Sequence, residues 1–187
     1  MTNRTARGID GDIAAGRAPG PSAWGHRLPV LVLVLVGLAV ALDLTLVQLG
    51  VLAPWDPVFG DGTRRVLFSS LARSLPIPDA GLGAAAYAVE AVLLVPGGAD
   101  RWTTRPGLAA ALGLLTLAMA AGGIVLILVQ GLVIGAFCAL CLASALISIA
   151  AAALDLPELR AALGRLRSRG RDPSPNAGRA APSTPHR

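Results

Sequence analysis

From Gly107 to Leu154 no residue carries a charge. About 20 apolar residues of helix cross a bilayer core of roughly 30 Å, so this run is too long for one crossing and long enough for two. Gly131 to Gly135 is the natural break between them. Two further runs have the same character: Leu28 to Ala53 carries one charge, Asp43, and Ala80 to Pro96 carries one, Glu90. The pattern predicts an all-α polytopic membrane protein, a four-helix transmembrane bundle with spans near 28–53, 80–96, 107–131 and 135–154. Composition agrees, since 54% of the 187 residues are hydrophobic and 14% charged, against roughly a quarter charged in soluble domains. A secretory signal peptide is the rival reading of the first run, because a basic segment precedes it and Ala39-Val40-Ala41 resembles a cleavage site. The run continues past that point to Ala53, which favours a retained span.

The segments between and around the runs have a different composition. Residues 1–27 hold Gly, Ala, Pro, Arg and Asp without periodicity and read as a disordered tail. Pro54 to Asp79 is a polar loop, Gly97 to Arg105 a turn, and Pro106 suits the first turn of a helix. Beyond Leu154, residues 155–187 read as a basic tail. Leu156, Leu159, Leu163 and Leu166 recur there at helical spacing among Arg160, Arg165, Arg167 and Arg169. That spacing describes an amphipathic helix for an anionic membrane surface or, equally, a solvated charged segment, before a low-complexity end.

Charge bias orients the bundle. All 16 basic residues are Arg. The segments that four spans would place on the N-terminal side hold every one except Arg64, Arg65 and Arg73. The positive-inside rule then puts both termini in the cytoplasm and the Pro54 to Asp79 loop outside. An Arg-only chain rich in Ala, Gly and Pro points to a bacterial cytoplasmic membrane. A nucleic-acid partner is excluded, since three Phe, three Trp and one Tyr leave no interleaved aromatic surface. Trp55, Phe59 and Trp102 read as an interfacial belt, with Trp55 and Phe59 alternatively capping a pocket.

Cys138-Ala139-Leu140-Cys141 is the sharpest chemical feature, and it holds the chain's two cysteines. Residues i and i+3 share a helix face at a separation a disulfide tolerates, and amides at a helix start favour the thiolate of the first. The pair therefore suits dithiol–disulfide cycling, or else two small apolar residues in a buried helix. Four ligands for a zinc site are absent. Asp43 and Glu90, the ionisable residues inside spans, each lie ten positions from a loop-side end, about 15 Å deep by helix rise. At one level they would form a proton relay beneath a redox site, or serve as protonated glue between helices.

These residues resemble the vitamin K epoxide reductase family of membrane thiol oxidoreductases. The resemblance rests on Val133-Ile134-Gly135-Ala136-Phe137-Cys138-Ala139-Leu140-Cys141, on Leu42-Asp43-Leu44-Thr45, and on Val66-Leu67-Phe68-Ser69-Ser70, Pro78-Asp79-Ala80-Gly81-Leu82-Gly83 and Tyr87. It covers roughly Leu28 to Leu154. It implies a four-helix bundle around a quinone, menaquinone or ubiquinone, with Cys141 facing the ring and Cys138 exchanging with a relay. It also implies quinone-binding roles for Ser69, Asp79 and Tyr87, and an extracytoplasmic thioredoxin-like partner. Two departures stand out. Trp55 to Thr63 contains no cysteine, Thr63 standing where the family's second loop cysteine falls, and Ala145 replaces a tyrosine common in relatives. Two functions follow as expectations. One is a quinone-linked thiol:disulfide oxidoreductase served directly by an external thiol partner. The other is a non-catalytic quinone- or lipid-binding or assembly subunit that keeps the fold.

Overall fold

The computed structural model describes residues 24–74 and 78–169. The expected disordered segments at residues 1–23 and 170–187 lie outside them. Every regular element among the described residues is helical: α1 (Trp24–Gln48), α2 (Gly62–Leu67), a 3-10 turn (Ala72–Ser74), α3 (Asp79–Leu94), α4 (Arg101–Thr104), α5 (Pro106–Val129), a π turn (Gln130–Ile134) and α6 (Ala139–Arg169). Three of the long helices, α1, α5 with its π turn, and α6, are long and apolar enough to cross a membrane. The fourth, α3, has 16 residues, about 24 Å by helix rise. It packs along α1 and α5 and completes the bundle.

Polarity is distributed as lipid requires. Leu28, Val32, Leu35 and Val36 on α1 and Leu114, Ile124, Val125 and Leu128 on α5 face outward, whereas Glu90, Thr116, Gln130, Ser148, Asp155 and Glu158 are buried. Close approach of the helices uses small residues. A Cβ on Gly37 would collide with the Tyr87 ring, on Gly113 with Leu159, and on Gly123 with Ala145. Gly122 faces open space, so of the Gly122-Gly123 pair only the second is a helix contact.

The break in the long uncharged run falls where the glycines predict. The π turn ends at Gly135, whose φ of 65° is the left-handed conformation glycine adopts at low cost. Other boundaries differ from the sequence reading. The first helix starts at Trp24 and stops at Gln48, so it is displaced toward the N-terminus from 28–53. Arg27, expected in a disordered tail, is buried. It donates to the carbonyls of Gly97 (2.9 Å), Pro96 (3.2 Å) and Leu94, where α3 has run out of amides to occupy them. The last helix does not stop at 154 either. It runs through Pro157 to Arg169, and Leu159 and Ala162 bury against Ala109 and Ala110 of α5. The expected separate surface helix is thus the end of α6, with Arg160, Arg165, Arg167 and Arg169 on its exposed side.

Arg101 explains why that extension is held. Its guanidinium, with 0% exposure, forms two parallel bonds to Glu158 at 2.8 and 2.9 Å and a third to Leu93 O at 2.9 Å. Removing one member of such a buried pair strands the other charge, which costs about 3–5 kcal/mol. Arg101→Leu is expected to lower the thermal midpoint of the purified protein markedly, and Arg101→Leu with Glu158→Leu to recover most of the loss. Equal midpoints for the single and double variants would contradict this account.

Candidate functional site

The two cysteines sit at the start of α6, at the loop end of the bundle. Cys138 immediately precedes the helix in the capping position. Its carbonyl accepts the Leu142 amide at 3.0 Å, and its sulfur accepts the Cys141 amide at 3.1 Å. An N-terminal amide aimed at sulfur stabilises the thiolate. The Cys141 thiol, donating to the same sulfur, is the largest influence holding the Cys138 thiol below its ordinary value, against burial. The Cys138 amide is held in turn by Gln130 Oε1 at 2.9 Å, which ties the cysteine to the π turn.

A carboxylate that the sequence reading did not single out organises the loop over this pair. Asp56 Oδ1 accepts the amides of Val58 (3.0 Å) and Phe59 (2.8 Å). Its Oδ2 accepts the Thr63 amide (3.1 Å), the Thr63 hydroxyl (3.0 Å) and the Ala139 amide (3.1 Å). One side chain thereby closes the loop and fastens it to the first amide of α6. Burial pushes the Asp56 carboxyl up, but the bonds from Phe59, Val58, Ala139 and Thr63 outweigh it and leave it below the usual carboxylate range. A depressed folded-state value means that this tether is complete above the unfolded value and is lost only as pH falls through the folded one.

Thr63 Oγ1 lies 3.5 Å from Cys138 Sγ, and Cys138 has 0% exposure. The residue that stands in place of a loop cysteine is therefore against the first helix cysteine. Beside it a cavity of about 420 Å3 is lined by Phe59, Asp61, Gly62, Arg65, Ala136 and Phe137. The Phe59 and Phe137 rings meet there, with centroids 5.8 Å apart. Phe59 thus packs on the chain leading to Cys138, whereas Trp55 is half exposed.

Both cysteines belong to one apolar cluster: Cys138 is among its buried members with Leu44, Val47 and Leu67, and Cys141 packs at its margin with Val40, Val66, Phe68, Ala80 and Leu140. Asp79, expected near the site, sits at the edge of this cluster at the start of α3. It pairs with the amide of Gln48, whose Oε1 accepts the Ala80 amide at 3.2 Å. Apolar walls with one amide and carboxyl pair supply the chemistry that a flat ring bearing a carbonyl needs. Ser69 follows Phe68 and spends an oxygen lone pair on the Ala72 amide at 3.3 Å.

Two expectations need correction. Tyr87 is fully buried, and its hydroxyl is committed to Ser144 O (2.8 Å), Ser144 Oγ (3.2 Å) and Ser148 Oγ (2.7 Å), leaving it no free donor for a ligand. Asp43 and Glu90 do not share a level. Thr45 lies against Gly81 and Tyr87 against Gly37, a register that separates the two carboxyls by roughly nine residues of helix, about 13 Å along the axis. Glu90 lies instead beside Thr116 and Asp155. Thr116 donates to Leu112 O at 2.7 Å and lies 3.3 Å from Asp155 Oδ2. One Glu90 oxygen and one Asp43 oxygen are buried without partners.

The chain matches the sequence profile of the Vitamin K epoxide reductase family over residues 28–156. It belongs to that family. Membership, with the three apolar helices, makes it a multi-pass membrane protein of an oxidoreductase family whose members generally act with quinones. No curated protein matches the chain. The sequence reading singled out the helix cysteines and Asp79, but it missed Asp56, Gln48 and Gln130. Asp56 followed by proline and, four residues on, by Gly60 at φ 60° is a turn signal whose side chain caps nearby amides. Gln130 is the one amide side chain within the uncharged run and had to find a partner there.

The direction of the Cys138 shift sets a pH test. Ultraviolet absorbance of the reduced protein is expected to show one thiolate forming with a midpoint below the ordinary thiol value. A midpoint at the ordinary value would contradict donation from the Cys141 thiol and amide to the Cys138 sulfur.

Proposed function

We propose that the chain is a quinone-linked thiol:disulfide oxidoreductase of the bacterial cytoplasmic membrane, with both termini cytoplasmic and the cysteines near the outer face. The observation that carries this reading is the division of labour across one helical turn. Both cysteines pack in one apolar cluster, but the Cys138 sulfur also meets the Thr63 hydroxyl of the loop and the Cys141 amide, while Asp79 and Gln48 edge the cluster on which Cys141 packs. From the disulfide state, a partner thiolate attacks Cys138 Sγ, the bond to Cys141 breaks, and Cys141 leaves as thiolate. A second partner thiol displaces Cys138, so the partner is oxidised by two electrons and the pair reduced by two. A quinone bound beside Cys141 would supply a two-electron, two-proton acceptor that restores the disulfide. Asp79 and Gln48 would hold it, and Ser69 is the next hydroxyl along the loop. Of the carboxyls suggested as proton donors, Asp43 is nearer this end of the bundle than Glu90.

The partner must be an outside thiol, because the loop holds no cysteine of its own. A thioredoxin-like extracytoplasmic protein fits, approaching by the Phe59 and Phe137 cavity. Since Thr63 covers Cys138, attack requires that segment to shift. The same cover favours the second reading, a non-catalytic quinone- or lipid-binding subunit. Mass-tagging of thiols in acid-quenched membranes separates the two. The redox reading expects a Cys138 to Cys141 disulfide that becomes two thiols on quinone depletion, and abolition of quinone-dependent partner oxidation in Cys141→Ser. Two free thiols in both conditions would establish the second reading.

A further inference from the structure

Thr63 has one hydroxyl proton and two acceptors within reach, Asp56 Oδ2 at 3.0 Å and Cys138 Sγ at 3.5 Å. The oxygen is the nearer of the two and carries charge, and sulfur is a weak acceptor, so the proton belongs to Asp56. The Thr63 lone pairs then face the sulfur and can accept an S–H. Asp56 cannot swing aside, because four backbone amides also hold it. One of these, Ala139, is the first amide of α6 and would otherwise support a thiolate at the cap. Gly62 presses the loop onto the chain before Cys138 so closely that a Cβ there would run into Phe137 O.

We propose that Asp56 is a positioning residue for Cys138: it withdraws the Thr63 hydroxyl proton and the Ala139 amide from the sulfur, and so keeps this thiol protonated more than the helix cap alone would. The charged groups that act on the pair are consistent with this, whereas a Thr63 hydroxyl turned to the sulfur would act the other way and lower the Cys138 thiol. Asp56 faces the pair from the loop, Asp79 from the start of α3, and Cys141 from α6, while Arg64 and Arg65, which follow Thr63 on α2, are exposed. A dithiol whose thiolate is less stabilised gives up electrons more readily, because stabilising the reduced form makes a pair oxidising. Asp56 therefore biases the couple, in which a disulfide takes up two electrons and two protons to give two thiols, toward passing electrons onward. The inference rests on the redox reading above for its purpose, though not for its test.

The test is the pH profile of Cys138 alkylation in the reduced full-length protein, without quinone or partner. The midpoint reports the thiolate and the plateau at high pH reports access. Thr63→Val removes the hydroxyl but keeps the apolar cover and the backbone amide bound to Asp56. It is expected to lower the midpoint while leaving the plateau unchanged, and Thr63→Ser to restore the original midpoint. Asp56→Asn is expected to lower the midpoint by about one unit, a tenfold gain in thiolate at a pH well below it. Measured above both midpoints, the same tenfold change raises the potential of the pair by about 30 mV. If Asp56→Asn does not fold, the two Thr63 variants decide alone. A midpoint that rises or stays in Thr63→Val would overturn the proposal, since it would mean that the hydroxyl proton serves the sulfur or neither atom. That failure would leave the redox reading standing, because partner oxidation in Cys141→Ser is scored separately.

Discussion

Inside a bilayer a polar group that loses its protein partner cannot fall back on water, and each such loss costs several kcal/mol. Nearly everything specific in this structure follows from where that cost is avoided. At the end away from the loop, Arg27 occupies the orphan carbonyls of α3 and Arg101 grips Glu158 with Leu93 O. At the other end Asp56 gathers five donors from its own loop and from α6. Between these knots the helices meet through glycine and alanine and present leucine and valine outward. The bundle is thus tied at its two ends and packed by shape in the middle.

The tie at the loop end bears on chemistry as well as stability. A loop without cysteines still has to stand in a fixed relation to the α6 cysteines, and here a carboxylate fastens it through separate amides. It is a weaker constraint than a disulfide, since it acts through separate amides and yields to protonation. It also brings a negative charge beside a sulfur whose helix cap favours a thiolate. The state of Cys138 is the balance of these opposing influences. Cys141, one turn along, packs on the same apolar cluster and donates to the Cys138 sulfur.

Periodicity and composition made much of this legible. The uncharged run from Gly107 to Leu154, broken at Gly131 to Gly135, pointed to two helices where α5 and the first half of α6 lie, because only helices satisfy the backbone in lipid. The cysteine spacing singled out the start of α6. Helix ends were less legible: Arg27 and Glu158 look like solvated residues beyond spans until partners from α3, α4 and the intervening turn are placed beside them. Tyr87 illustrates the same limit for function, since nothing local says that its hydroxyl is taken by Ser144 and Ser148, 57 and 61 residues away.

By itself, then, the sequence determined that this is a helical membrane protein with a cysteine pair at a helix start near one surface. Hydropathy and i to i+3 spacing are properties of neighbours along the chain. Only the tertiary structure decided that Asp56 and Thr63 cover Cys138, that Glu90 lies with Asp155 rather than Asp43, and that Gln48 and Asp79 edge the cluster around Cys141. Those relations depend on the register between helices. That register is set by how glycines and bulky side chains interlock across the bundle, which no local pattern records.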